Sequence, residues 1–163
     1  MSLRKILVIA AICAICFIIE ALLHQILGRW FKPNLLLIAV VFFNLYWGTR
    51  YSLAAAMVGG LLKDGFSAIF FGFNIFSLIA CGYLTTFVKM YVYHVGSKSD
   101  RVLMVFLVVV LNAIIQYLLK VMLSSVSFPQ AFLYVFLPEI LTTTIVAGYT
   151  FDRLKACVLR LFV

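Results

Sequence analysis

The chain has 163 residues, of which 66% are hydrophobic and 11% charged, and its mean hydropathy is +1.20. A soluble domain is about half apolar and about a quarter charged, so this composition excludes one and predicts an all-α integral membrane protein. The net charge is +8, but the basic residues are scattered at predicted helix ends, which argues against a nucleic-acid partner.

Apolar runs separated by short polar gaps predict a single transmembrane domain, a compact bundle of about six transmembrane helices. The predicted spans are residues 6–23, 34–47, 50–63, 72–93, 102–123 and 131–151. A helix needs ~20 residues to cross a ~30 Å hydrocarbon core, and the second and third runs are shorter than that. These two spans are expected to tilt little, to thin the bilayer, or to be interrupted.

The first run follows Arg4 and Lys5, as the apolar part of a signal peptide would, but no small-residue cleavage site follows it. We therefore expect a retained span. Cys13 and Cys16 lie inside this run without a second cysteine or histidine pair, so they are expected to pack as small hydrophobic residues, with no metal or cofactor. Glu20 and His24, four residues apart, share one helix face and are expected at the membrane interface.

The third run contains a stripe of small residues. Every fourth residue from position 48 belongs to it, and a parallel pair lies beside it; the members are Gly48, Ser52, Ala56, Gly60 and Asp64, with Ala55 and Gly59. Small residues let helix backbones approach closely, which supplies association in lipid. The stripe therefore predicts a contact surface, either inside the bundle or against a partner protein.

Lys63 and Asp64 place two charges in this apolar sequence. Charged groups within a membrane usually face protein or water and are functional candidates, although the pair could also mark the wet end of a helix. We expect Asp64 to be a structural anchor that accepts hydrogen bonds from amides at the Gly65 turn or pairs with Lys63 or another cation. Asp64→Asn is then expected to retain most of the function, whereas Asp64→Leu is expected to lose it by leaving local donors unpaired. Glu20, Asp64 and Glu139 are the acids that could point into the bundle.

Two prolines sit near predicted helix starts. Pro33 and Asn34 open the second span, whereas Pro138 and Glu139 lie a few residues inside the predicted sixth span. Pro138 either kinks that helix or occupies its true first turn, with Glu139 favoured by the helix dipole. Gly65 and Gly72 bracket a connection or short re-entrant piece before the fourth span.

The distribution of lysine and arginine predicts the orientation. With six spans and a cytoplasmic N-terminus, most of the 13 basic residues fall inside, which is the expected bias. The inside set is Arg4, Lys5, Arg50, Lys89, Lys98, Arg101, Arg153, Lys155 and Arg160, and the outside set is Arg29, Lys32, Lys63 and Lys120. Both termini are therefore expected in the cytoplasm.

Several short strings resemble the MreD family of rod-shape-determining membrane proteins. They are K-P-N-L-L-L-I-A-V-V from Lys32, Gly48, G-G-L-L-K-D from Gly59 to Asp64, Gly72, G-Y-L from Gly82 and L-P-E-I-L from Leu137. Pro33, Asp64, Gly72 and Pro138 are the structural positions of this pattern. Asn74 and Phe76 depart from it, since the family more often has small or aliphatic residues there.

The resemblance implies a non-enzymatic subunit of the cell-elongation machinery in the bacterial inner membrane. Such a subunit binds the single-span protein MreC, contacts membrane lipid, and helps couple the MreB filament, directly or indirectly, to the peptidoglycan glycosyltransferase and transpeptidase.

The family is also similar in fold to the substrate-binding membrane subunits of energy-coupling-factor vitamin transporters, which supplies an alternative function. A vitamin site would need polar groups under the outer loops, for which residues 24–33 and 124–130 are candidates. An alcohol phosphotransferase would need several aspartates on a metal, and Asp64-Gly65 stands alone.

Overall fold

The computed structural model describes residues 3–28, 31, 33–66, 71–92, 98–123 and 137–162. Within these ranges the chain forms six α-helices and no strand. They are α1 (Leu3–Leu27), α2 (Leu35–Trp47), α3 (Thr49–Gly65), α4 (Phe73–Val92), α5 (Lys98–Leu123) and α6 (Leu137–Phe162). The predicted all-α class is confirmed.

The helices form a bundle of a membrane protein. Three of the helices described are long and apolar enough to cross a bilayer by length and composition; the qualifying stretches are Arg4–Leu27, Phe73–Tyr91 and Asp100–Leu119. Large apolar side chains such as Ile26, Phe87 and Ile145 are exposed on the outside of the bundle, as expected of a surface that faces lipid.

Helix α2 is the centre of the bundle. It contacts each of the other five described helices, and its ten consecutive residues from Leu35 to Asn44 are all buried. At 13 residues it is about 20 Å long, less than a bilayer core. The predicted shortness of the second span is thereby explained, because a helix enclosed by protein on every side need not match the thickness of the lipid.

Gly48 alone connects α2 to α3. Its φ of +91° lies in the left-handed region, which residues other than glycine rarely adopt. Its amide donates to the Phe43 carbonyl at 3.0 Å, and its carbonyl accepts from the Tyr51 and Ser52 amides, both at 3.2 Å. Gly48 therefore ends one helix and begins the next, and the small-residue stripe on the helix itself begins at Ser52.

The small residues of α3 face other helices of the same chain. Ser52, Ala55, Ala56, Gly59, Gly60 and Asp64 are all buried. Ser52 Oγ donates to the Val40 carbonyl of α2 at 2.9 Å. A Cβ on Gly59 would lie 3.1 Å from Leu36 Cδ2 in α2, and one on Gly60 would lie only 2.5 Å from the Ile75 Cα in α4. The stripe lets α3 fit between these two neighbours.

The last helix differs most from its predicted limits. It begins at Leu137 and continues to Phe162, well beyond residue 151, and residues 131–136 of the predicted span lie outside the described ranges. Basic residues near the C-terminus of a helix are stabilised by the helix dipole, so their presence after residue 151 does not end the helix. Pro138 lies in the first turn of the helix as described, where a missing amide hydrogen costs no helical bond, which favours the alternative of a helix start over that of a mid-span kink.

We predict that Gly60→Ala destabilises the bundle by roughly 1–3 kcal/mol, because its new methyl group would meet the α4 backbone, which cannot move aside like a side chain. Gly59→Ala should cost less, since it meets the flexible end of Leu36. Gly65→Ala is the matched control, with nothing within 4 Å of its added Cβ. Unfolding in mixed micelles measures all three. Equal stability of the Gly60 and Gly65 variants would contradict the close α3–α4 approach.

Candidate functional site: a polar network shared by six helices

Asn34 joins three helices at the start of α2. Its Oδ1 caps α2 by accepting from the Leu37 amide at 3.1 Å, and the same oxygen accepts from Lys63 Nζ of α3 at 2.9 Å. Its backbone amide donates to Thr143 Oγ1 of α6 at 2.9 Å, and its Nδ2 donates to Glu139 Oε1 at 2.9 Å. The side chain thus makes three hydrogen bonds, and the residue is only 3% exposed.

Lys63 also ties α1 to this point. Its Nζ lies 2.7 Å from Glu20 Oε1, and the two side chains are 16% and 14% exposed. Glu20 and His24 lie one turn apart on α1 and differ in burial, since His24 is exposed and Glu20 pairs with Lys63 of α3. Two charges this far from water are costly unless paired, so the pair holds α1 against the bundle.

Asn112 extends the network to α4 and α5. Its Nδ2 donates to Glu139 Oε1 at 3.4 Å, while its Oδ1 accepts from Ser77 Oγ at 2.6 Å and from Cys81 Sγ at 3.7 Å. Asn112 is 1% exposed and Glu139 is 6% exposed. A continuous set of hydrogen bonds therefore runs through all six described helices.

The amide of Asn34 is oriented between opposite charges. Its oxygen faces the Lys63 ammonium and its nitrogen faces the Glu139 carboxylate, so its dipole stabilises both groups. Lys63 thus stabilises two acids, Glu20 by direct contact and Glu139 through the amide of Asn34. Glu20 Oε2 is the one buried side-chain oxygen or nitrogen without a hydrogen-bond partner in the part of the chain described.

Asp64 forms a separate anchor beside this network by capping α4. Its Oδ2 accepts from the Gly72 and Ile75 amides at 2.9 and 3.1 Å, and its Oδ1 accepts from the Asn74 amide at 3.0 Å and from Asn74 Nδ2 at 2.8 Å. The first-turn amides of a helix have no partner within the helix, and a carboxylate there also meets the positive end of the helix dipole. Asp64 thereby fixes the start of α4 to the end of α3.

The location of these bonds corrects part of the expectation for Asp64. The acceptor role at backbone amides is present, but the amides belong to α4 and not to the Gly65 turn, and Lys63 forms its ion pair with Glu20. Both carboxylate oxygens are used, whereas an asparagine has one acceptor oxygen and would turn an amide group toward two N–H donors. The structure therefore predicts that Asp64→Asn is itself damaging.

A second set of polar contacts lies at the opposite end of α2. Asn44 Nδ2 donates to the Gly82 carbonyl at 2.9 Å and to Thr86 Oγ1 at 3.0 Å, and the Thr86 and Thr49 hydroxyls are 3.0 Å apart. Lys89 Nζ donates to the Leu45 carbonyl at 3.2 Å. Helices α2, α3 and α4 are therefore tied by hydrogen bonds at both ends.

The sequence pointed to the charged members of the site and missed the neutral ones. Asn112, Ser77 and Thr143 were not singled out, although an asparagine inside an apolar run is a usable signal, because polar side chains in lipid are expected to bond across helices. Arg29, Trp30, Lys32 and residues 124–130, which were candidates for a vitamin site, lie outside the described ranges. Of the rest of that set, His24 and Gln25 are exposed at the end of α1.

The chemistry of the site is that of helix assembly. Its donors and acceptors are engaged with one another across helices, apart from Glu20 Oε2. Among the residues described, no group of three or more His, Cys, Asp or Glu side chains could hold a metal ion. The site is therefore best understood as a set of ties that fix the six helices relative to one another.

We predict a graded loss of stability around Asp64. Asn74→Ala removes one of the four hydrogen bonds and should cost about 1 kcal/mol. Asp64→Asn should cost about 1–3 kcal/mol, because two of the four donors lose their acceptor, and Asp64→Leu should cost more than either. Unfolding in mixed micelles gives the order, and an Asp64→Asn variant as stable as the parent chain would refute the capping role.

We also predict that Lys63→Met costs on the order of 3 kcal/mol, because it leaves Glu20 buried without its cation. The double variant Glu20→Leu/Lys63→Met should regain much of this loss, since replacing both charges removes the unpaired carboxylate. Lys89→Met is the control, as that ammonium donates to a carbonyl and should cost about 1 kcal/mol. If the Lys63 and Lys89 variants lose equal stability, the buried pair does not hold α1.

Comparison with known proteins bears on the role of this bundle. No curated protein and no solved structure matches the chain. Residues 2–151, however, match the family described as rod shape-determining protein MreD. The match covers all but the first residue and the end of α6, and it confirms the resemblance carried by the glycine, proline and aspartate positions. The chain belongs to the MreD family of rod shape-determining membrane proteins.

Proposed function

We propose that the chain is a non-enzymatic scaffold of the bacterial cell-elongation machinery. In this role it binds an MreC-like single-span protein and helps couple the MreB filament, directly or indirectly, to the glycosyltransferase and transpeptidase that build peptidoglycan. Membership of a rod-shape-determining family supports the cellular role. The observation that carries the scaffold role is the network in which buried polar side chains of six helices bond to one another.

A network of this kind favours a scaffold for a physical reason. An enzyme or a carrier keeps polar groups available for its substrate, whereas Asn34, Asn112 and Glu139 direct theirs at neighbouring helices. Buried hydrogen bonds between helices favour one arrangement of the helices that they join. A fixed arrangement suits a protein that has to present constant outer faces to several partners.

The outer faces available for partners are apolar and lie on different helices. Ile15 and Ile18 are exposed on α1, Tyr83 on α4, and Ile145 on α6. A single-span partner inside the bilayer would pack against one such face and would be held there by van der Waals contacts between surfaces of matching shape.

We further propose that the protein lies in the inner membrane with both termini in the cytoplasm. The excess of basic residues at one set of helix ends supports this orientation, because cytoplasmic ends retain lysine and arginine. The Glu20–Lys63 end of the bundle then faces outward. A cysteine placed at Ser97 should react with an impermeant reagent only after the membrane is opened, and labelling of intact cells would reverse the assignment.

The scaffold role is tested by replacing the MreD protein of a rod-shaped bacterium with this chain and its own MreC-like partner. We predict that the parent chain maintains rod shape and that a photo-crosslinking residue at Ile15, Tyr83 or Ile145 captures the single-span protein from at least one face. Val40, which is fully buried, is the control position and should capture no partner.

Two results would contradict the proposal. One is maintained rod shape with no crosslink from any exposed face, because the chain would then act without holding this partner. The other is a tightly bound vitamin in the purified chain, detected by mass spectrometry, which would favour the transporter-subunit alternative.

A further inference from the structure

We infer that the protein associates with a second copy of itself in the membrane through one exposed side of α4. The α4 face, as we call it, consists of Phe76, Ala80, Tyr83, Phe87 and Met90, which line one side of the helix. The four large side chains are exposed, and the small Ala80 between them is half-buried. This association is independent of the proposed scaffold role, since the exposed sides of α1 and α6 remain available to another protein.

The hydroxyl of Tyr83 is the main reason to expect a partner at this face. The residue is 54% exposed, and it forms no hydrogen bond with the residues that the structure describes. It lies near the middle of α4, about 14 Å from either end of the helix, which is farther than a tyrosine side chain extends. An unpaired hydroxyl in hydrocarbon is costly. Tyr83 therefore needs a hydrogen-bond partner from another molecule.

Two other hydroxyls on the outer helices show how such groups are satisfied within the chain. Thr85 Oγ1 donates to the Cys81 carbonyl of its own helix at 2.6 Å. The Tyr149 hydroxyl of α6 accepts from Arg153 Nη2 at 2.8 Å. Tyr83 has neither kind of partner, because a phenol points away from the backbone of its own helix and no cation of α4 lies beside it.

The composition of the α4 face suits contact with protein. Its exposed side chains are aromatic residues and a methionine, which are enriched in the contact surfaces between proteins. The exposed side of α1 is instead aliphatic, as expected of a surface that meets only lipid; its members include Leu7, Ile15, Ile18, Leu22 and Ile26. Among the three described helices long and apolar enough to cross a bilayer, α4 is also the least apolar.

A second copy satisfies Tyr83 without any further polar group. A tyrosine hydroxyl can both donate and accept a hydrogen bond. Two copies insert in the same orientation, so a two-fold axis along the membrane normal brings their Tyr83 hydroxyls together at the same depth. One hydroxyl then donates and the other accepts, while the rings of Phe76 and Phe87 pack against those of the second copy. Ala80 lets the two helix axes approach between these large side chains.

The hydroxyl itself can be tested in lipid vesicles that contain donor-labelled and acceptor-labelled copies of the full chain. We expect energy transfer between copies that rises with the ratio of protein to lipid and then saturates. Tyr83→Phe, which removes only the hydroxyl, should weaken the association by roughly three- to tenfold. Tyr91→Phe is the matched control and should leave the association unchanged, because Tyr91 is exposed at the end of α4, where headgroups and water reach its hydroxyl.

Photo-crosslinking in cells identifies the molecule that covers the α4 face. A photo-crosslinking residue at Phe87 should join two differently tagged copies of the chain, whereas the same residue at Ile145, exposed on α6, should not. Three results would each overturn the proposal. They are energy transfer no greater than random collisions give, equal association of the Tyr83→Phe and Tyr91→Phe variants, and capture of a different protein from Phe87 in place of a second copy.

Discussion

The absence of water around α2 is the constraint on which the rest of this structure depends. The chain enters α2 through the non-helical residues Pro33 and Asn34, both buried. Backbone polar groups at such a place must be satisfied by protein, because unpaired groups in an apolar environment are costly. The Asn34 side chain caps α2, and the Thr143 hydroxyl accepts a hydrogen bond from the Asn34 backbone amide. The start of the central helix is therefore possible only when α6 is in place.

The same constraint explains why the network reaches every described helix. Each polar side chain that bonds to one helix has other donors or acceptors that also need partners. Asn34 needs an acceptor for its Nδ2 and finds Glu139, and Glu139 takes a second donor from Asn112. Lys63, donating to Asn34, brings Glu20 from α1. A buried polar group without a partner is costly, so each of these contacts depends on the helices that supply the others.

Apolar packing supplies the other part of the stability, and residue size decides how closely two helices can pack. Between α3 and α4 the helix axes can approach because Gly60 and Gly82 carry no side chain: an added Cβ would meet Ile75 at one glycine and Ser52 at the other. Asp64 then binds the start of α4 to the end of α3. Close packing and capping act on the same pair of helices, and these two helices form the firm part on which α1 and α5 pack.

For a member of a shape-determining family, a bundle tied in this way has a clear use. Its polar groups are turned inward, so its outer surface is free to be apolar and to differ from one helix to the next. Under the proposed scaffold role, a partner within the bilayer would meet faces whose spacing is set by the network. The Lys63–Glu20 ion pair lies at one end of the bundle and the exposed Arg4 and Arg50 lie at the other, so the two ends differ in chemistry.

Sequence alone determined the all-α class and a bundle of about six helices, the number found in the part of the chain that the structure describes, because apolar runs, glycines and prolines act locally along the chain. It also singled out Glu20, Asp64 and Glu139 as acids that could point into the bundle, since a charge in an apolar run is visible without a structure. Tertiary structure decided the partners of these acids. Glu139 meets Asn34 across 105 positions of the chain, and Asp64 meets α4 beyond a connecting segment. Hydrogen bonds between helices depend on which faces are brought together, and that is set by the packing of the whole bundle around α2, which no local pattern records.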